Sequence, residues 1–193
     1  MAVNSLYPAF KHWGSTGTIW IISDTHFADP DVEFYRNGKI TDDELVKLIN
    51  SCVGKHDVLI HLGDCGDLEY IKKLKGYKIL IAGNHDTGLD KYKEVFNEVY
   101  SGPVMIAEKL ILSHEPVDVP WAFNIHGHNH QSFKNDNYHL NCCIDANNYQ
   151  ILNFNKFMKE GHLSKITSLH RQTINKASSN SKRNKINTLD KKD

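Results

Sequence analysis

Thr18-Ile19-Trp20-Ile21-Ile22-Ser23-Asp24-Thr25-His26 sets the pattern from which the rest of the chain is read. A short apolar run rich in β-branched residues stops abruptly at a carboxylate, with an imidazole two positions on. Such a continuous run, too short for a core helix, is the signature of a strand buried on both faces. The same design recurs at Val58–Leu62 followed by Gly63-Asp64, and at Lys78–Ala82 followed by Gly83-Asn84. It returns at Leu110–Ser113 before His114 and at Phe123–His126 before Gly127-His128. Further runs stand at Val104–Ala107 and His139–Ile144. Strands alternating with helical segments predict an α/β layered domain.

Helix signals fall between the runs. Thr41 with Glu44 three residues later reads as a capping box opening the amphipathic stretch Leu45–Ile49. Leu68–Lys75 is expected to be a short helix closed by Gly76, and Lys91–Val99 another. Val104–Ser113 is expected to form a hairpin.

The residues that end the strands carry the chemistry. In an open α/β sheet the carboxyl ends of parallel strands line one crevice, so Asp24, Asp64, Asn84, His114 and His128 are expected to converge. His26 and His130 each lie two positions beyond a member of the set. A lone histidine at a strand end is more often a hydrogen-bonded structural residue, but seven ligand-competent side chains at strand ends point together to metal. Four imidazoles, two carboxylates and an amide exceed what one tetrahedral zinc uses, so two ions are expected. The mixed nitrogen and oxygen set fits Mn²⁺, iron or zinc and does not by itself choose among them, since availability decides occupancy; Mn²⁺ is the expected occupant. Two close cations call for a carboxylate between them and acidify a shared water. Gly63, Gly83 and Gly127 stand immediately before ligands, where the chain must turn sharply. His61 and His126, inside apolar runs, are read as core or supporting residues.

Composition narrows the class. The 193 residues carry 23 basic and 23 acidic side chains, so there is no overall bias toward nucleic acid or membrane. From Arg171 onward seven Lys or Arg face two Asp or Glu, leaving the tail basic and the rest acidic. One domain is expected over residues 1–169, followed by a polar, disordered tail over 170–193. Cys52, Cys65, Cys142 and Cys143 make no metal or disulfide framework and read as reduced thiols, Cys65 as a packed neighbour of Asp64. No apolar run approaches the ~20 residues of a membrane span and no leader is evident, so a soluble cytoplasmic protein is expected.

Asp24-Thr25-His26, Gly63-Asp64, Gly83-Asn84-His85-Asp86, His114 and Gly127-His128-Asn129-His130 together resemble the calcineurin-like metallophosphoesterase superfamily, in that family's order and over about Trp20 to His130. The resemblance implies two mixed sheets packed as a sandwich and flanked by helices, in four layers. It implies one metal held by Asp24, His26, Asp64 and His130, and another by Asp64, Asn84, His114 and His128, with Asp64 as the bridge. His85 resembles the family's catalytic histidine, and Asp86 would orient it. The first loop departs from similar members, which often follow the D-x-H-F stretch with Gly-His; here Ala28-Asp29 follows Phe27, which bears on substrate preference.

The implied activity is hydrolysis of a phosphoester by a metal-bridging hydroxide, most simply of a small, nucleotide-type phosphodiester. Arg36 is a candidate for contacting substrate phosphate, with Tyr35 and Asn37 beside it, although a surface position is the plainer reading. A nuclease, a protein phosphatase and a partner-binding scaffold are the alternatives. The acidic core and the lack of a capping or DNA-binding insertion disfavour nucleic acid, and the intact ligand set with His85 disfavours the scaffold.

Overall fold

A computed structural model describes residues 4–5, 17–107, 109–131 and 135–167. The tail over 170–193, expected to be disordered, lies outside the described residues. Two five-stranded mixed sheets form the domain. Strands run in chain order as β1 (Asn4–Ser5), β2 (Ile19–Ile22), β3 (Val58–His61), β4 (Tyr77–Ile81), β5 (Glu98–Tyr100), β6 (Val104–Ala107), β7 (Leu110–Leu112), β8 (Phe123–His126), β9 (His139–Asn141) and β10 (Leu152–Asn153). One sheet has the order β1-β6-β7-β8-β9, the other β10-β2-β3-β4-β5.

Alternation along the strands explains the packing. Ile19, Ile21, Val58, Ile60, Ile79 and Ile81 of one sheet meet Val104, Ile106, Leu110, Leu112, Phe123 and Ile125 of the other in one buried cluster. Each such side chain contributes about 1.5–3 kcal/mol relative to exposure. The intervening residues Ile22, Leu59 and Leu80 point the opposite way, onto helices. That helical layer is α2 (Asp42–Cys52) and α3 (Leu68–Lys73), which supply Leu45, Ile49 and Ile71. Thr41 caps α2 in a full capping box with Glu44, as the sequence predicts. Among the described residues helices cover this one outer face; α4 (Phe154–Lys159) instead adds Phe154 and Phe157 to the inter-sheet core.

Parallel pairing aligns the strand ends. In one sheet β2, β3, β4 and β5 are parallel neighbours, with Ile22 opposite His61 and His61 opposite Leu80. In the other, β7, β8 and β9 are parallel, with Leu112 opposite Ile125 and Ile125 opposite Leu140. An isolated bridge between Ser23 and Cys143 stitches the two sheets together at these ends. The β6–β7 pair is antiparallel, the expected hairpin.

Two expected elements differ. Lys91–Val99 is not one helix: a 3-10 helix spans Leu89–Glu94 and β5 begins at Glu98. Asn97 makes the break, its side-chain oxygen accepting from the Lys78 amide at 2.8 Å and docking the chain beside β4. Gly76 does not cap α3, which ends at Lys73 with Leu74 as its cap; it serves the turn into β4 with φ of 89°. The sequence reading also omits α1 (Pro30–Arg36), whose signal is Asp29-Pro30. Asp29 caps the helix by accepting from Asp31 and Val32, Pro30 opens it, and Asn37 closes it in the left-handed region.

Candidate metal centre

The loops that leave the aligned strand ends bring all seven expected ligands to one place. Asp24 and His26 follow β2, Asp64 follows β3, Asn84 follows β4, His114 follows β7, and His128 and His130 follow β8. Three groups of potential ligand atoms each gather within 4.8 Å: Asp24 with His26 and Asp64, Asp64 with His114 and His128, and Asp24 with His130 and Cys143. Asp24 and Asp64 each belong to two of them. Asp64 Oδ2 lies 3.5 Å from His26 Nε2 and 3.2 Å from His114 Nε2.

The imidazoles are oriented from behind. His26 Nδ1–H donates to Asp29 at 3.1 Å, His114 Nδ1–H to the Leu62 carbonyl at 2.9 Å, and His130 Nδ1–H to Asp145 at 3.0 Å. Each ring thereby turns Nε2 inward as a lone pair, the arrangement that metal-binding histidines use. Around His114 Nε2 stand Asn84 Oδ1 at 2.8 Å, His128 Nδ1 at 3.1 Å and Asp64 Oδ2 at 3.2 Å. An amide oxygen, a carboxylate oxygen and a second imidazole nitrogen thus crowd one ring nitrogen, a donor set that a cation can share. Asp24 is fully buried; its Oδ2 accepts from the His128 amide at 2.9 Å, while its Oδ1 has no hydrogen-bond partner among the described residues. An orphaned buried carboxylate oxygen is costly, and a cation beside it relieves that cost. The residues present therefore fit a pair of metal ions.

Backbone geometry carries the same message. Asp24, His26, Asp64 and His128 all adopt positive φ, at 61°, 42°, 54° and 68°, a region costing about 1–2 kcal/mol for a residue with a side chain. Such strain concentrates at functional sites. The glycines make room: a Cβ on Gly83 would stand 2.2 Å from Asp64 Oδ1, and one on Gly127 2.5 Å from Asp24 Oδ2.

Charge is tuned accordingly. Burial alone would raise the Asp64 pKa, but the His114 hydrogen bond, the His85 amide and the charges of His114 and His26 hold it down at about 2. Burial likewise opposes protonation of His114, yet Asp64, Asp24 and the Leu62 carbonyl outweigh it and raise its pKa in the metal-free protein. Protons therefore compete with metal at this imidazole. His61, wholly buried, is pushed down to about 4 by desolvation. Its Nδ1 accepts from the Gly63 amide, so its Nε2–H donates to Thr25 Oγ1, pinning the first loop as a supporting residue.

His85 is exposed at the rim, its ring edge-on to His26 with centroids 5.3 Å apart. Asp86 is placed differently from its expected role. It is buried, and its carboxylate accepts from the amides of Asp64, Gly83 and Cys65 and from the Cys65 thiol. It holds the Asp64 turn, and these hydrogen bonds go there and not to the His85 ring. Arg36 is a second correction. It is 3 % exposed, and its guanidinium is spent on Asp145 and on the carbonyls of Asp24 and Thr25, so it is not presented to solvent as the surface reading expected. Tyr35 instead faces His130, ring centroids 6.2 Å apart.

Three residues near the centre escape the sequence reading: Asp29, Asp145 and Cys143. Asp145 had a signal, since it directly follows the run His139–Ile144 just as the expected ligands follow theirs. Cys143, not Cys65, is the thiol within reach of Asp24 and His130; burial and Asp24 keep it protonated by raising its pKa. A cavity of about 340 Å³ opens beside the centre, lined by Asn84 and His114 and by Ser101, Pro103, Glu115 and Val117.

Comparison with known proteins agrees with this architecture. The sequence pattern of a family described as calcineurin-like phosphoesterase matches residues 17–190. No curated protein matches the chain. Among solved structures, a protein of unknown function from Aquifex aeolicus, AQ665, is similar at 25% identity and a TM-score of 0.62, covering 74% of this chain and 98% of that one. The nuclease MPE of Pseudomonas putida shares 20% identity over 58% of this chain and 61% of its own, with a TM-score of 0.44. Yfce, a phosphoesterase from E. coli, shares 18% over 65% and 78%, with a TM-score of 0.35.

Proposed function

Because the chain belongs to the calcineurin-like phosphoesterase family, we propose that it hydrolyses a small phosphodiester, using two metal ions with Mn²⁺ preferred and iron or zinc as alternative occupants. The observation that carries the reading is Asp64, whose single oxygen faces His26 on one side and His114 on the other. Asp24, His26, Asp64 and His130 would hold one ion, and Asp64, Asn84, His114 and His128 the other. When bound, the ions supply an acidified water and neutralise charge on the phosphoryl oxygens.

The protein's own groups do the rest. Water adds to phosphorus and the ester oxygen departs, giving a phosphomonoester and an alcohol. His85, exposed beside His26, is positioned to donate a proton to the departing oxygen. The Nδ1 hydrogen bonds of His26, His114 and His130 keep the liganding nitrogens pointed inward, so little reorganisation is needed during reaction.

The cavity beside Asn84 and His114 supports a diester of modest size, since about 340 Å³ accommodates a small second ester group. Among the described residues no Lys or Arg lines it and Glu115 does, which disfavours a long polyanion and hence a nuclease role. The four free cysteines suit a reducing compartment such as the cytoplasm. Among the described residues no helix is long and apolar enough to cross a membrane.

The test is hydrolysis of an aryl phosphodiester, with the matching monoester alongside. Turnover should need added Mn²⁺, vanish on chelation and favour the diester. Activity indifferent to chelation refutes the metal-dependent reading; preference for the monoester refutes the diester assignment.

A further inference from the structure

We propose that Arg36 and Asp145 form a latch that positions His130 and the Asp24–His26 loop for metal, so that both are positioning residues of the centre; the inference rests on the dimetal reading above.

An always-charged guanidinium needs a counter-charge when buried. Arg36 finds one in Asp145, whose side chain is 4 % exposed, through a fork with Nε to Oδ1 at 2.8 Å and Nη2 to Oδ2 at 3.1 Å. Its remaining donors reach backward. Nη1 donates to the Thr25 carbonyl at 3.0 Å and Nη2 to the Asp24 carbonyl at 3.2 Å. Asp145 reaches the other way, accepting from His130 Nδ1 at 3.0 Å. One ion pair thus touches the backbone of the first ligand loop and the ring of the last ligand, which come from different sheets.

Stability alone is a poor reason for such a pair, since well-packed apolar residues often do as well. The latch does two things that apolar residues cannot. A carboxylate behind His130 fixes its tautomer and raises its basicity toward metal. Two donors on the carbonyls of Asp24 and Thr25 hold a loop in which Asp24 and His26 sit at φ of 61° and 42°. Asp145 itself is presented rigidly: Asn147 Nδ2 donates to the Asn141 and Cys143 carbonyls at 2.6 and 3.0 Å, and the Ile144 amide bonds Ser23. The latch bonds none of Asn84, His114 and His128, so it acts on one half of the centre.

The experiment is calorimetric titration of the full chain with Mn²⁺, comparing wild type with Asp145→Asn and Arg36→Lys, and with circular dichroism to check folding. One of two binding steps should weaken about 10- to 100-fold in each variant, while the other changes less than about threefold. Asp145→Asn should cost clearly less in a His130→Ala background than in wild type, because the part of its effect that runs through that ring is gone. Unchanged steps, equal weakening of both steps, or an undiminished effect without His130 each overturn the latch. If Asp145→Asn does not fold, Arg36→Lys carries the same outcomes, because lysine keeps the charge and loses the fork. A wild-type chain that takes up none of Mn²⁺, Zn²⁺ and Fe²⁺ overturns the dimetal reading itself, whereas two normal steps in wild type and variants overturn the latch alone.

Discussion

Replacing Gly83 with alanine tests the centre at its narrowest point. The added methyl would lie 2.2 Å from Asp64 Oδ1 and 2.8 Å from both the Asp64 amide nitrogen and His114 Nδ1. Ordinary contact begins at 3.4 Å, so Asp64 must yield by roughly 1 Å. Gly83 is not among the glycines with positive φ, so the effect is steric and local. The displaced carboxylate loses its bond from the His85 amide, now 2.9 Å, and carries Oδ2 away from His26 and His114. A shift of that size costs on the order of 10²-fold in rate, equivalent to about 2.7 kcal/mol of barrier. Metal titration and diester turnover should therefore both fall in Gly83→Ala while its circular dichroism stays native. Gly102 borders the same cavity with nothing within 4 Å of its would-be Cβ, so Gly102→Ala should match wild type within about twofold. Wild-type metal affinity and turnover in Gly83→Ala, or an equal loss in Gly102→Ala, would refute the reasoning.

Three further predictions use other parts of the molecule. His85→Ala should lower diester turnover by about 10²- to 10⁴-fold and still bind two Mn²⁺; loss of metal in calorimetry would make His85 structural. Ala28 holds φ of 57° at an exposed position, so Ala28→Gly should raise the thermal midpoint by about 2–4 °C, the shift expected for about 1 kcal/mol in a chain of this size; a lower midpoint contradicts strain there. Burial would raise the Asp57 pKa, but hydrogen bonds from the Gly54 and Thr18 amides and the Trp20 indole lower it. A depressed carboxyl contributes stability above its unfolded pKa of about 3.9 and loses it as pH falls through the lower folded value. Asp57→Asn should thus destabilise the protein at neutral pH and flatten its acid limb in denaturant titrations, and an acid limb as steep as wild type would count against this.

Much of this centre was legible because strand ends are chemically marked. An apolar run that stops at Asp, Asn or His announces both the strand and the side chain it delivers, and parallel pairing makes those ends coincide. Edge elements were harder. β5 has three residues and β10 two, too few for periodicity to register, and Asn97 makes its decisive bond to an amide far away in sequence. Arg36 and Asp86 were misjudged for a shared reason. A charged residue beside a ligand suggests substrate or catalyst, but whether its hydrogen bonds are already spent depends on tertiary neighbours. For Arg36 that neighbour, Asp145, lies 109 positions away.

Neither sheet owns the centre. Asp24, His26, Asp64 and Asn84 leave one sheet, while His114, His128 and His130 leave the other, and each proposed ion draws on both. Asp24 and His130 stand about a hundred positions apart, so during synthesis the first ligand is made long before its partner. Uptake of the proposed ions would then be a clock for the last act of folding: a chain still lacking its eighth strand can build most of one sheet yet has no complete pocket with which to trap an ion.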